Sequence, residues 1–365
     1  MMVVYLYLRG TMQRRKLLTG IAAGSIGLTA GLTSISAKRT GKKNGQYQNP
    51  VFEPIFADPS AIRTDDGQYY AYATMDNWGS DRGGWHIVPI IRSTDLVNWE
   101  YVGDAFDSVP DWYENGTAEF VWAPDIAQYD GEYHLFYSLV DFSPEYNWEH
   151  QSIGVATADS PAGPFEDQGE VLQGSDVGVG NSIDPMFFVD EGSPYLIWGS
   201  FDGIYLVELA RDGNGWEYVG TPVQIASDRF EGPYIIERNG WYYLFVSSGG
   251  CCGGPDDTYQ VEVGHSRSLD GPYVNQRGEK LTDAPGTLVI DDDEQFGAPG
   301  HNAIVEDDAG RDWMLYHAYD RDEPGFVHGV PRRPLLIDPI QWRDGWPRVT
   351  TRTPSLYQRR PVDSR

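Results

Sequence analysis

DDGQYYAYAT (residues 65–74), YDGEYHLFYS (129–138), DEGSPYLIWGS (190–200), RNGWYYLFVSS (238–248) and DAGRDWMLYHAY (308–319) are five versions of one phrase. Each is a polar turn centred on glycine, followed by an aromatic strand. The turn glycines Gly67, Gly131, Gly192, Gly240 and Gly310 are 64, 61, 48 and 70 residues apart. A polar-Gly turn between aromatic or β-branched runs is a hairpin signal. Recurrence at this period predicts an all-β chain, a five-bladed β-propeller with about four strands per blade. A β-sandwich would use similar strands without so regular a repeat. The 42 glycines and 24 prolines agree with a turn-rich β fold.

The strand leading into each turn starts with ADPSAI at Ala57, WAPDIA at Trp122, IDPMFF at Ile183, EGPYII at Glu231 and GHNAIV at Gly300. Nine residues before the turn glycine stand Asp58, Trp122, Glu231 and His301; eight before Gly192 stands Asp184. The first strand of a propeller blade lines the central channel, so these positions are expected to form a ring at one mouth. Three carboxyls, an indole and an imidazole in register suit glycoside hydrolysis. That reaction needs one carboxylic acid to protonate the leaving oxygen and one carboxylate to activate water or attack carbon. A third carboxyl nearby tunes the acid by like-charge repulsion, and Trp122 offers a ring face to a sugar. The structural alternative is that such acids cap turns, as Asp beside Pro often does.

These stretches, with IRSTDLVNWE (91–100), SIGVATADSPAGPF (152–165), NSIDP (181–185), WGSFDGI (198–204), YYLFVSSGGCCGG (242–254), TYQVEVGHSRSLDGPY (258–273) and PGHNAI (299–304), resemble glycoside hydrolase family 43 over about residues 50–350. The CC loop and the segment after it resemble the endo-1,5-α-L-arabinanase branch. The resemblance implies an inverting enzyme acting on arabinan or arabino-oligosaccharides. It implies Asp58 as general base, Glu231 as general acid and Asp184 as the residue that tunes and orients the acid. It implies Trp122, Asn181 and Ser200 as substrate-binding residues, and His301 as the histidine of an axial site usually assigned to calcium (Ca2+). Two departures bear on the subsites: Ala57 stands where many arabinanases carry His, and Asp202 where many carry an aromatic residue. The rival readings are an exo-acting α-L-arabinofuranosidase or β-xylosidase of the same family, and an inactive polysaccharide-binding propeller.

The rest of the chain adds context. The 365 residues carry 54 Asp+Glu against 27 Lys+Arg, a formal charge of −27. That charge argues against binding nucleic acid, and no protein partner is implied. Lysine occurs five times, and past residue 43 only at Lys280. An acidic surface nearly free of lysine suits high salt, where repulsion is screened; a halophilic, haloarchaeal source is expected. Residues 1–43 contain no acid. Arg14-Arg15-Lys16 precedes a small-residue apolar run from Leu17 to Ala37, the pattern of a twin-arginine export signal over 1–37. A secreted protein with no membrane association after signal removal is expected, with a polar linker over 38–49 and one catalytic propeller over 50–365. Removing residues 1–37 takes away four basic residues and brings the charge to −31. Two cysteines, the adjacent Cys251 and Cys252, exclude a disulfide framework; they are expected to be free thiols in a loop lining the cleft. His317 reads as a buried polar residue of the last blade.

Overall fold

The computed structural model describes residues 44–363 except 113–117, 142–150, 214, 324 and 328. The expected export signal and residues 38–43 of the linker lie outside the described residues. Five four-stranded antiparallel sheets form the body. Their innermost strands contain or follow the expected ring positions: Ser60–Arg63, Phe120–Tyr129, Met186–Asp190, Phe230–Arg238 and Phe296–Glu306. Each turns through its predicted glycine into the second strand: Tyr69–Tyr72, Glu132–Val140, Ser193–Trp198, Trp241–Ser248 and Asp312–Asp320. All five turn glycines have positive φ, between 69° and 90°, which a residue without Cβ adopts at no steric cost.

Both faces of each sheet meet a neighbouring blade, which explains why the second strands read as continuous apolar runs rather than as alternation. Every residue of Asp312–Asp320 is buried. The apolar side chains gather between adjacent blades. Tyr72, Ile90 and Leu135 pack between blades one and two. Phe136, Phe187 and Trp216 fill the next junction, where the Phe136 and Phe187 rings stack with centroids 5.1 Å apart. Ile197 and Leu244 occupy the third junction, Phe245 and Met314 the fourth.

The last junction must close the ring between blades five and one. Phe56, Ala71, Trp313 and Leu315 supply its core. The chain ends add a clasp: Gln46–Gln48 pairs antiparallel with Tyr357–Arg359. Residues 46–49, expected in a polar linker, therefore belong to the propeller. Tyr47 is fully buried and its hydroxyl donates to Ile337 O at 2.6 Å. Asn49 Nδ2 donates to Ile337 O (2.9 Å) and Ser355 O (2.8 Å), and its Oδ1 accepts the Ile337 N–H (3.1 Å). One buried amide thus joins the N-terminal segment, the third strand of blade five and the C-terminal segment. Asn49→Ala strands several buried backbone groups, each worth about 1–3 kcal/mol when unmet. It is expected to lower the unfolding free energy by about 3 kcal/mol, read by urea denaturation; a change under about 0.5 kcal/mol contradicts the clasp.

Candidate active site

Each blade enters the channel through one residue in the left-handed backbone region: Asp58 (φ 52°), Ala123 (42°), Asp184 (60°), Gly232 (55°) and His301 (51°). In blades two, four and five the strand ladder slips at this point. The N–H here needs a partner outside the ladder, and a side chain of the preceding blade supplies it. Thr74 Oγ1 accepts from Ala123 (2.8 Å), Ser138 Oγ from Asp184 (3.0 Å), Ser247 Oγ from His301 (2.9 Å), and His317 Nδ1 from Asp58 (3.1 Å). These acceptors stand seven residues past the turn glycines of their own blades; the fifth such position is Gly199. Gly199 brings no side chain, and a Cβ there would lie 2.0 Å from Gly203 O. The Gly232 N–H bonds instead to Asp184 Oδ2 at 3.1 Å. The one gap in the fivefold pattern thus ties the Asp184 carboxyl to the residue following Glu231.

This register corrects the expected ring. The left-handed residue lies nine before the turn glycine in blades one and five, and eight before it in blades two, three and four. The turns differ in length: two residues join the strands at Asp130-Gly131, Glu191-Gly192 and Asn239-Gly240, whereas blades one and five use longer loops. Counting back nine therefore selected Trp122 and Glu231, each one residue ahead of the true equivalents Ala123 and Gly232. Both side chains still reach the mouth.

A cavity of about 420 Å³ opens there, lined by Asp58, Asp184, Glu231, Trp122, Ser200 and His301 among others. Asn181 is not part of the lining. It is buried, and its Nδ2 donates to Ser200 O at 2.8 Å, so it holds the wall from behind. The Ser200 hydroxyl donates to Glu231 Oε2 at 2.8 Å. Sequence reading missed Arg333, Asp76 and Trp85, which also line the cavity. Cys251 and Cys252 are unpaired thiols in the lining, as expected.

The carboxyls are held in different protonation states. Burial works against ionising Asp58, but the Arg333 and His301 side chains and a hydrogen bond from Thr74 outweigh it and hold the acid well below the usual range. Arg333 Nη1 lies 3.3 Å from Asp58 Oδ1, and Thr74 Oγ1 donates to Oδ2 at 2.6 Å. His317 Nδ1 is also 3.3 Å from Oδ1. Because that nitrogen accepts the Asp58 N–H, it has no proton to offer the carboxylate; burial keeps this imidazole neutral by pushing its pKa well below the usual value. Asp184 and Glu231 are both raised, by burial first and, for Asp184, by the Glu231 charge. Adjacent buried carboxyls resist ionising together, so the pair retains a proton when Asp58 has lost its own. Ser200 and the Tyr259 hydroxyl bond to Glu231. Gly300 lets Tyr259 in, since a Cβ there would sit 2.0 Å from its ring.

Calcium takes six to eight oxygen ligands. Among the described residues no group of three or more His, Cys, Asp or Glu side chains converges on a metal site. His301 Nδ1 faces Asp58 at 3.5 Å, and Arg333 already supplies positive charge beside that carboxylate. The described side chains do not by themselves fit the expected calcium ion, and no step below runs through one.

Known proteins resemble this chain in sequence and fold. The family described as "Glycosyl hydrolases family 43" matches residues 47–347. The extracellular endo-α-(1→5)-L-arabinanase 1 of Bacillus subtilis is 32% identical over 304 residues, 80% of this chain and 87% of that protein. The extracellular exo-α-(1→5)-L-arabinofuranosidase of Cellvibrio japonicus is 30% identical, covering 74% of this chain and 82% of its own length. Among solved structures, the endo-arabinanase of Bacillus licheniformis superposes with a TM-score of 0.69 at 31% identity, over 81% of this chain and 98% of that one.

Proposed function

The chain belongs to family 43 of the glycosyl hydrolases, and from that membership we propose that it cleaves α-1,5-L-arabinofuranosidic bonds within arabinan with inversion. The observation that carries the mechanism is three carboxyls on one cavity in unlike surroundings: Asp58 faces Arg333 and Thr74, which favour its ionised form, while Asp184 and Glu231 are buried together and retain a proton between them. Asp58 is the general base. Arg333 and Thr74 fix its carboxylate, which takes a proton from a water as that water attacks the anomeric carbon. Glu231 is the general acid and gives its proton to the departing oxygen. Asp184 acts on Glu231 as a neighbouring carboxyl, oriented by the Gly232 N–H. The Trp122 ring forms an apolar wall for the sugar. Cleavage within the chain follows the Bacillus relatives; the Cellvibrio relative favours an end-acting variant on the same site.

Export by the twin-arginine route and adaptation to high salt belong to the same proposal. Extracellular relatives, Arg14-Arg15 and the lysine-poor acidic composition support them.

Chromogenic α-1,5-arabinotriosides and debranched arabinan test the assignment together. Asp58→Ala abolishes turnover of both, since water activation is always required. Glu231→Ala loses arabinan cleavage by about a hundredfold or more, yet spares trioside carrying a dinitrophenolate leaving group, which needs little protonation. Equal losses on both substrates would remove Glu231 as the acid. The wild-type enzyme is expected to release a ladder of oligosaccharides from arabinan.

The pH profile gives a second check. The acid must keep its proton, so kcat/KM falls as pH rises through the raised range of the Asp184–Glu231 pair. Asp184→Asn removes the carboxyl that shares the retained proton with Glu231 but can keep an acceptor for the Gly232 N–H. Glu231 then ionises more easily, and the alkaline limb moves to lower pH. An unmoved or raised limb contradicts the coupling.

A further inference from the structure

Between the second and third strands of blade one the chain makes an excursion, MDNWGSDRGGWHIV (75–88), at the mouth of the channel. It is a short hairpin in which Asp76 pairs with His86 and Asn77 with Trp85. The hairpin is firmly held. The Met75 N–H bonds to Val121 O of blade two (2.9 Å), and the Trp78 N–H to Gly84 O (2.7 Å). The Trp78 ring lies 4.2 Å from the His86 ring, which Asp104 holds through Nδ1 at 3.0 Å. Residues here therefore present a fixed surface to the cavity.

Two of them line it, Asp76 and Trp85. Trp85 is 39% exposed and continues the aromatic wall, with Phe120 at 6.1 Å and Trp122 a further 6.0 Å on. Asp76 is only 6% exposed. Its Oδ1 accepts the Asn77 N–H at 3.1 Å; among the described residues its other oxygen has no hydrogen-bond donor. That oxygen opens to the cavity, where a ligand can meet it. The mechanism above does not use this carboxyl, although it lies in the fields of both Arg333 and Asp58.

We propose that Asp76 is a specificity-determining residue whose carboxyl hydrogen-bonds a hydroxyl of the pentofuranose ring seated against Asp58. The inference rests on the arabinan reading and deepens it by naming an anchor for the ring whose bond is cut. The chemistry is complementary: a sugar hydroxyl both donates and accepts, and Asp76 presents an acceptor to the same cavity that Arg333 lines with its donor fork. Burial pushes the Asp76 carboxyl up to about 7, so near neutrality it donates as well as accepts. A vicinal diol matches such a neighbouring pair, whereas a ring lacking one hydroxyl leaves the buried carboxyl unmet.

Chromogenic α-1,5-arabinotriosides whose chromogen-bearing ring is intact, 2-deoxy or 3-deoxy provide the test, with Asp76→Ala and Asp76→Asn set against wild type. On the intact substrate Asp76→Ala is expected to lower kcat/KM by about tenfold to a hundredfold, the range for a hydrogen bond to a charged group, and Asp76→Asn by less. One deoxy substrate loses a similar factor with wild type and nothing further with either variant, because the hydroxyl and the carboxyl report the same contact. A loss of equal factor on all three substrates, or none on the intact one, overturns the proposal. If Asp76→Ala does not fold, Asp76→Asn decides by the same comparison. Failure of the arabinan reading would look different: wild type would leave the intact trioside uncut.

Discussion

Five backbone N–H groups at the channel mouth, each on a left-handed residue where its blade enters the channel, set the terms for this molecule. Unmet, each would cost about 1–3 kcal/mol. All five are met by a side chain of the preceding blade, so the ring is stitched blade to blade at the mouth of the cavity. The stitching residues also shape the site. Thr74 accepts from Ala123 and donates to Asp58, and His317 accepts from Asp58 and is thereby kept neutral beside it. At Gly199 the stitch is missing, and the Asp184 carboxyl takes its place. Fold closure and positioning of the cavity carboxyls are accordingly one set of interactions.

The electrostatics follow from that geometry. Burial alone would protonate every carboxyl in the cavity. Asp58 escapes because the Arg333 guanidinium, the His301 side chain and the Thr74 hydroxyl face its carboxylate, whereas Asp184 and Glu231 have chiefly each other and hydrogen-bond donors. The same cavity therefore holds a base and an acid at one pH, the condition general acid/base catalysis requires. The asymmetry depends on Arg333, which reaches the site from the third-strand side of blade five and also contacts Cys252 Sγ at 3.4 Å.

Much of this was legible in the sequence, because propeller geometry repeats and local turn chemistry is written in a few residues. The five turn glycines gave the blades, and the strands before them gave Asp58, Asp184, Glu231 and His301. The count slipped by one at Trp122 and Glu231 because turn length varies between blades. Asn181 was expected to bind substrate, yet its Nδ2 donates to the Ser200 backbone carbonyl. Asn49 looked like linker because its partners, Ile337 and Ser355, lie 288 and 306 residues away. Arg333, Tyr259 and Asp76 carry no local signal, since each reaches the cavity through tertiary packing. His317 did carry one: it stands seven residues past its turn glycine, in register with Thr74, Ser138 and Ser247.

The central claim is that Asp58 activates water instead of attacking carbon, so that one displacement at the anomeric centre completes the reaction. An inverting pair stands about 6.5–9.5 Å apart to admit that water, and a retaining pair about 5–5.5 Å. Proton NMR of the new reducing end, recorded on an α-1,5-arabino-oligosaccharide before mutarotation, measures the outcome directly. The account predicts the β anomer first, decaying to the equilibrium mixture. First appearance of the α anomer would mean retention through a covalent intermediate, and would contradict the assignment of Asp58 as the base.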